Sequence, residues 1–161
     1  MKRILLVCEG NTDRSPMAKA ILESMLKEKG LSNEVSVDSA GLSPDGKKAS
    51  SGSRETIKYL LGSDILRNHK QKSVRDVNLH EFDFIFTMTE GQSEDLVKQG
   101  ASSDKTFALR EFSGYINDID IKEPWCYTGK SDWKEGYGNC AKEIQKALQK
   151  CLDRMTRDKF L

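Results

Sequence analysis

Residues 2–16 constrain the fold more than any other segment, because they predict a strand, a tight loop and a helix start in direct succession. Residues 2–7 form a short run rich in leucine and β-branched residues, and its apolar part shows no alternation, which is typical of a strand buried on both faces of a parallel sheet. A short polar stretch with Gly10 follows, and Ser15 and Pro16 then supply an N-cap and a proline for the first helical turn. The unit predicts an α/β fold.

Strand and helix signals keep alternating along the rest of the chain. Further strands are predicted at residues 34–38, 82–88 and 106–109. Helices are predicted at residues 15–30, 53–62, 91–99 and 140–155. Ser53 is the predicted N-cap of the second helix, and residues 114–138 are predicted as a long irregular loop. This order predicts a three-layer α/β/α sandwich around a four-stranded parallel sheet with right-handed crossovers.

Length and charge limit the classes of protein that fit. A chain of 161 residues has the size of one domain, so we expect a single domain over residues 1–161. Its 26 basic and 25 acidic residues leave a net charge of +1, which gives no electrostatic footprint for a nucleic-acid partner. The apolar stretches are too short for a membrane span, and the N-terminus lacks the features of a signal peptide. The expected location is the cytoplasm.

The numbers and spacings of cysteine and histidine also fit a cytoplasmic protein. The four cysteines include no C-x-x-C pair and fit reduced thiols in that compartment. They are Cys8, Cys126, Cys140 and Cys151. With two histidines and no Cys/His spacing typical of a metal site, the sequence predicts neither a metal ion nor a cofactor.

The loop at residues 8–15, Cys-Glu-Gly-Asn-Thr-Asp-Arg-Ser, carries the clearest chemical signal. Its backbone N–H groups and the positive end of the following helix suit a tetrahedral oxyanion. Arg14 adds a planar fork for two anionic oxygens, and the same positive field favours a nucleophilic thiolate at Cys8. Nucleophile and anion site thus belong to one loop. Its other candidate phosphate-binding residues are Glu9, Gly10, Asn11, Thr12, Asp13 and Ser15.

The run VCEGNTDRSP at residues 7–16 resembles the low-molecular-weight protein tyrosine phosphatases. Residues 37–41, Val-Asp-Ser-Ala-Gly, look like the second-strand motif of that family. His69 falls where the family has a histidine after the second helix, and residues 123–125, Glu-Pro-Trp, fall at its Asp-Pro-aromatic sequence. The resemblance covers essentially the whole chain. It implies a phosphorylated protein as substrate and inorganic phosphate or another oxyanion in the 8–15 loop.

Carried over to this chain, the resemblance implies a role for each residue of the site. Cys8 would attack phosphorus to form a phosphocysteine, and Arg14 would stabilise the transferring group. Ser15 would hydrogen-bond the thiolate. The residues implied to hold the loop in its strained shape are Asn11, Ser39 and His69.

The leaving group needs a proton donor, for which a carboxylic acid is the usual solution. The family uses Asp, whereas this chain has Glu123, one methylene longer. Pro124 and Trp125 keep the register, so Glu123 is the predicted acid and Asp120 the reserve. The other acids of this segment are Asp118 and Asp132.

A second departure is Asp13, where the family usually has another cysteine. Its absence removes the partner for a protective disulfide with the nucleophile, so reversible oxidation within the loop is not expected. A carboxylate facing inward would repel a dianionic substrate, and we therefore expect Asp13 to point away from the site.

Substrate choice rests on fewer residues. The cleft wall at residues 42–52 contains no aromatic side chain, which leaves Trp125 and Tyr127 to stack on an aryl phosphate. Thr12 occupies a position where relatives acting on phosphoarginine have Thr and tyrosine phosphatases commonly have a bulkier apolar residue. Phosphotyrosine is the first expectation and phosphoarginine the alternative.

Two further classes of function stay open at this point. A thiol-coupled arsenate reductase would need a second redox cysteine near Cys8, and Cys126 is the candidate, since Cys140 and Cys151 lie at helical spacing among apolar residues. A catalytically weak phosphate- or phosphopeptide-binding module would tolerate the changes at Asp13 and Glu123.

Overall fold

A computed structural model describes residues 1–127 and 133–161, and this part of the chain forms a parallel sheet flanked by helices. The strands are β1 (Lys2–Cys8), β2 (Val35–Gly41), β3 (Phe84–Thr87) and β4 (Thr106–Ala108). The α-helices are α1 (Arg14–Glu28), α2 (Ser51–Leu61), α3 (Glu90–Lys98), α4 (Leu109–Phe112) and α5 (Trp133–Arg157). Short 3₁₀ helices lie at Ile65–Asn68, Val74–Asp76, Leu79–Glu81 and Pro124–Tyr127.

The sheet confirms the predicted fold class. Its strand order is β2-β1-β3-β4, and all three pairings are parallel. Strand β1 is central and buried on both faces, because its alternate side chains belong to two separate apolar clusters. Ile4 and Leu6 pack with α1 and α5 on one face, whereas Leu5 and Val7 pack with α3 on the other. The apolar run without alternation was therefore a sound indicator of a central parallel strand.

Two predicted helix boundaries were wrong, both at positions that bear on the site. The N-cap of α2 is Ser50, whose hydroxyl accepts the backbone N–H of Ser53 at 3.1 Å, so the helix begins earlier than Ser53. The predicted loop at 114–138 ends early, because α5 begins at Trp133 and includes two glycines. A helical glycine costs about 1 kcal/mol, but the apolar face of this long helix packs in the core and outweighs that cost.

Strand β2 runs on to Gly41, beyond the predicted end at residue 38, and this extension reaches the 8–15 loop. A side chain at Gly41 would meet the backbone of that loop: a Cβ would lie 2.8 Å from Asn11 N and 2.9 Å from Glu9 O. Glycine is thus the residue that lets β2 pass directly beneath the loop. The sheet edge and the loop form one packed unit.

No helix in the described residues is both long and apolar enough to cross a bilayer.

Candidate active site

The 8–15 loop lies at the carboxyl edge of the sheet, between the end of β1 and the start of α1. Cys8 is the last residue of the central strand and Arg14 the first of the helix, with exposed fractions of 2% and 4%. Strand ends and a helix N-terminus meet at this edge, where parallel α/β folds bind ligands. Among the described residues, the backbone N–H groups of residues 10–13 have no protein acceptor. The loop therefore keeps donors free for an anion.

Asn11 lies at the centre of the loop in the left-handed region, with φ of 53°, and is fully buried. Its Nδ2 donates to Ser15 Oγ at 2.9 Å and to Ser39 Oγ at 3.0 Å. Its Oδ1 accepts the backbone N–H of Lys72 at 2.9 Å. The side-chain amide uses both of its protons and its oxygen, so the strained backbone of Asn11 is held from α1, from β2 and from the chain after α2.

His69 also holds Asn11, through a hydrogen bond to the backbone carbonyl of that residue. Its Nε2 lies 2.8 Å from the carbonyl oxygen of Asn11, and a carbonyl only accepts, so Nε2 carries the hydrogen and donates. Burial lowers the pKa of His69 below its ordinary 6.5, although the bond to Asn11 opposes this shift. His69 is therefore a neutral imidazole with a defined tautomer at neutral pH.

Ser15 lies between Asn11 and the predicted nucleophile. Its Oγ is 3.0 Å from Cys8 Sγ and accepts a proton from Asn11 Nδ2. That bond occupies a lone pair of the hydroxyl, and the Ser15 proton has two acceptors within reach: Cys8 Sγ at 3.0 Å and the carbonyl of Ala40 at 3.4 Å. The contact with Ala40 is long for a hydroxyl hydrogen bond, so the proton is donated to sulfur. A donated hydrogen bond of this kind stabilises a thiolate.

Arg14 extends from the start of α1 to the segment that precedes α5. Its Nη1 donates to the carbonyl of Ile121 at 2.9 Å, and its Nη2 forms an ion pair with Glu123 Oε1 at 2.6 Å. Its Nε is buried and has no hydrogen-bond partner among the described residues. A buried donor without a partner is costly, and an oxyanion in the loop is a suitable acceptor for it.

Asp13 turns its carboxylate to α2 and α5. Its Oδ1 accepts the hydroxyl protons of Ser50 and Ser53, the latter at 2.6 Å, and its Oδ2 accepts that of Tyr137 at 3.4 Å. Ser50 and Ser53 belong to the N-terminal turn of α2, where a negative charge is favourable. Gly52 allows this contact, because a Cβ there would lie 2.4 Å from the Tyr137 ring.

The other predicted acids do not meet Arg14. Asp120 accepts the first backbone N–H of α3, from Glu90, at 2.9 Å, and Asp118 is exposed with φ of 50°. Asp132 lies outside the described residues. The structure brings Glu123 alone of the predicted acids in the described part of the chain to the 8–15 loop.

The aromatic candidates lie on the same segment as Glu123. Trp125 is 72% exposed. Tyr127 is half-buried, its hydroxyl accepts the backbone N–H of Lys122 at 3.2 Å, and burial raises its pKa. Trp125 is thus free to contact a substrate, whereas Tyr127 also stabilises the segment itself.

The remaining thiols differ in reactivity. Cys126 is exposed, whereas Cys140 and Cys151 are buried in the core, where burial raises the pKa of each to about 12. Thiols with such pKa values stay protonated and are poor nucleophiles. In residues 1–127 and 133–161, no three His, Cys, Asp or Glu side chains cluster as metal ligands would.

Sequence reasoning missed several residues of this site. Lys72 contributes only its backbone N–H, which no residue pattern reveals. Gln71 donates to Thr12 Oγ1 at 2.6 Å, and its position two residues after His69 was the one available signal. Ser50 and Tyr137 meet Asp13 only through tertiary packing.

Fold and site together define a class: α/β proteins that hold a thiol, an arginine and a loop with unpaired backbone N–H groups at the carboxyl edge of a parallel sheet. The family model described as "Low molecular weight phosphotyrosine protein phosphatase" matches residues 3–160. The chain belongs to this family.

Individual relatives cover nearly the whole chain. A protein-arginine-phosphatase of Bacillus subtilis (strain 168) is 29% identical over 159 residues, which are 97% of this chain and 98% of the relative. A low molecular weight phosphotyrosine protein phosphatase of Sus scrofa is 27% identical over 152 residues, 92% of this chain and 95% of the relative. The crystal structure of a low molecular weight protein tyrosine phosphatase from T. tengcongensis matches with a TM-score of 0.83 and 33% identity, over 96% of this chain and 99% of that one.

The lowered pKa of His69 predicts a pH dependence of stability. Below pH 6.5 the unfolded state takes up a proton that the folded state does not, so the free energy of unfolding falls as pH drops from about 6.5 toward the lowered pKa. The slope in this window reaches up to about 1.4 kcal/mol per pH unit. His69→Gln keeps an N–H donor but does not titrate, and urea unfolding at several pH values should show this slope removed.

His80→Gln, at the exposed second histidine, is the matched control and should retain the slope. Parallel stability curves for the parent and His69→Gln would contradict the assignment of a half-buried, neutral imidazole.

Proposed function

We propose that this protein is a cysteine-dependent protein phosphatase that hydrolyses phosphotyrosine through a phosphocysteine intermediate. The observation that carries the proposal is the 3.0 Å contact of Cys8 Sγ with Ser15 Oγ, in a loop that also contains Arg14 with its unpartnered, buried Nε. A stabilised thiolate and an anion site within one rigid loop suit nucleophilic attack on a bound phosphoryl group. The four cysteines are free thiols, which suits a protein in a reducing compartment. We propose that this compartment is the cytoplasm.

The proposed reaction has two steps. In the first, Cys8 Sγ attacks phosphorus, an S–P bond forms, the P–O bond to the leaving group breaks, and Glu123 gives its proton to the departing oxygen. In the second, water attacks the phosphocysteine and Glu123 accepts its proton. The S–P bond then breaks, inorganic phosphate leaves, and the Cys8 thiolate is restored. Backbone N–H groups and Arg14 stabilise the transferring group in both steps.

Glu123 has to break its ion pair with Arg14 before it can act as the general acid. The ion pair at 2.6 Å joins the guanidinium to an ionised carboxylate, and the Glu123 side chain is 35% exposed. A phosphoryl dianion bound at Arg14 competes for the same guanidinium, so substrate binding favours the separation of Glu123 from it. The separated side chain can then carry a proton to the leaving oxygen. The extra methylene of Glu relative to Asp gives the side chain the reach for both positions.

A second candidate is protein-arginine phosphatase activity on the same site. Two observations favour it: Thr12 places a hydroxyl on the loop where an apolar side chain would suit an aromatic ring, and relatives named protein-arginine-phosphatase match most of the chain. Against it stands exposed Trp125, an aromatic surface on which a phosphotyrosine ring can stack. We place phosphotyrosine first and phosphoarginine second.

The direct test of the function is a turnover assay on matched phosphotyrosine, phosphoarginine and phosphoserine peptides. The parent should hydrolyse phosphotyrosine, and Cys8→Ser should lower kcat/KM by about 1,000-fold or more. Cys126→Ser is the matched control and should keep the parent rate, because that thiol is exposed and lies outside the 8–15 loop.

Each other outcome has a defined meaning. Turnover of none of the three peptides would favour a phosphate-binding module. Loss of activity in Cys126→Ser as well as in Cys8→Ser would contradict a mechanism in which Cys8 is the one thiol required.

Replacement of the proposed acid should depend on the leaving group. Glu123→Gln should lower kcat/KM on phosphotyrosine by about 10²- to 10⁴-fold, because kcat/KM reports formation of the phosphocysteine and a tyrosine oxygen with an ordinary pKa near 10 leaves slowly without a proton. On a nitrophenyl phosphate the loss should be much smaller, since that phenolate leaves unaided. Steady-state kinetics on both substrates measure the difference.

Asp120→Asn is the control for this test and should leave both rates close to the parent values. Equal losses on both substrates in Glu123→Gln, or the leaving-group dependence appearing in Asp120→Asn instead, would contradict the assignment of the acid.

A further inference from the structure

Gln71 connects the 8–15 loop to the cleft wall at residues 42–52. The side chain is half-buried, and its Nε2 lies 2.6 Å from Thr12 Oγ1 and 3.0 Å from Asp45 Oδ1. Its Oε1 accepts the backbone N–H of Gly46 at 2.7 Å. One amide thus contacts both the 8–15 loop and the segment at residues 42–52.

The orientation of this amide is defined by its neighbours. The backbone N–H of Gly46 can only donate, so the atom that faces it must be the oxygen of Gln71. The amide nitrogen therefore faces Thr12 and Asp45 and gives one proton to each. Turning the amide over would lose the bonds to Gly46 and Asp45.

This arrangement determines how the hydroxyl of Thr12 is used. Since Oγ1 accepts from Gln71, it has one further lone pair and its own proton available. Within the described residues, the carbonyl of Gly10 is the other partner of Oγ1, at 3.4 Å, which is long for a hydroxyl hydrogen bond. The hydroxyl is held in position by Gln71 and retains capacity to bind a substrate group.

We propose that Gln71 is a positioning residue for substrate choice, which fixes the Thr12 hydroxyl so that its remaining lone pair accepts an N–H of a phosphorylated guanidino group. A guanidino group carries several N–H donors and no acceptor, whereas the ring of phosphotyrosine offers no N–H. The contact therefore raises activity on phosphoarginine relative to phosphotyrosine. The inference rests on the proposed phosphatase function and concerns the ratio of the two activities.

The test compares kcat/KM for matched phosphoarginine and phosphotyrosine peptides in the parent and in Gln71→Leu. Leu has a similar volume and makes none of the three hydrogen bonds. The ratio of phosphoarginine to phosphotyrosine activity should fall roughly 3- to 10-fold, the effect of one positioned hydrogen bond. Activity on phosphotyrosine should fall less than activity on phosphoarginine.

Two further variants separate a positioning role from a structural one. Asp45→Ala removes one contact of Gln71 but keeps its bond to Thr12, so the ratio should stay at the parent value. In Thr12→Val the hydroxyl is absent, and adding Gln71→Leu to it should not lower the ratio again, because the two changes act through one contact.

An unchanged ratio in Gln71→Leu, an equal fall of both activities, or a second full fall in the Thr12→Val background would overturn the inference. A parent that hydrolyses phosphotyrosine but not phosphoarginine would also overturn it, while the proposed phosphatase function would stand. A parent that hydrolyses neither peptide would overturn both.

Discussion

The buried amide of Asn11 is the interaction on which the rest of the site depends. It holds a residue with φ of 53° in the middle of the 8–15 loop through bonds to α1, β2 and the chain after α2. An unpaired amide at zero exposure would be costly, so the loop is stable only when all three elements are in place. The fold thus couples the shape of the anion site to the packing of the sheet. Neutral His69 adds a fourth bond to the same residue.

The charged side chains around the loop are arranged so that a chain with a net charge of +1 has a local site suited to an anion. Arg14 contributes a guanidinium at the end of the loop, and its buried Nε has no hydrogen-bond partner in the part of the chain that the structure describes. The negative charge of Asp13, which would oppose a dianion, is turned to the N-terminal turn of α2 and accepts hydroxyl protons there. Glu123 is held by Arg14 itself, which places the proposed proton donor beside the proposed phosphate site. The charge at the loop is therefore determined by the placement of Arg14, Asp13 and Glu123, and the net charge of the chain does not reveal it.

The fold could be predicted from local signals, because the apolar run of β1 and the Ser-Pro helix start each reflect a nearby physical cause. The start of α5 could not, since the two glycines of its first turns oppose a helix locally and are outweighed by distant core contacts. At the site, the 8–15 loop and Glu123 were foreseeable because a nucleophile, an arginine and an acid are recognisable residue types. Gln71 and Lys72 were not, because one acts through an amide of ordinary type and the other through its backbone.

The proposed role of the 8–15 loop, held in shape by Asn11, is to present Cys8 as a nucleophile to phosphorus. The most direct measurement is intact-protein mass spectrometry after rapid acid quench of the enzyme mixed with a phosphotyrosine peptide, followed by fragmentation to locate the modification. A transient gain of one phosphoryl group on Cys8 is expected, formed within the first turnover and absent in Cys8→Ala, which has no nucleophilic atom at this position. Turnover of the peptide without any phosphorylated protein at quench times before the steady state, or a phosphoryl group on another residue, would contradict it.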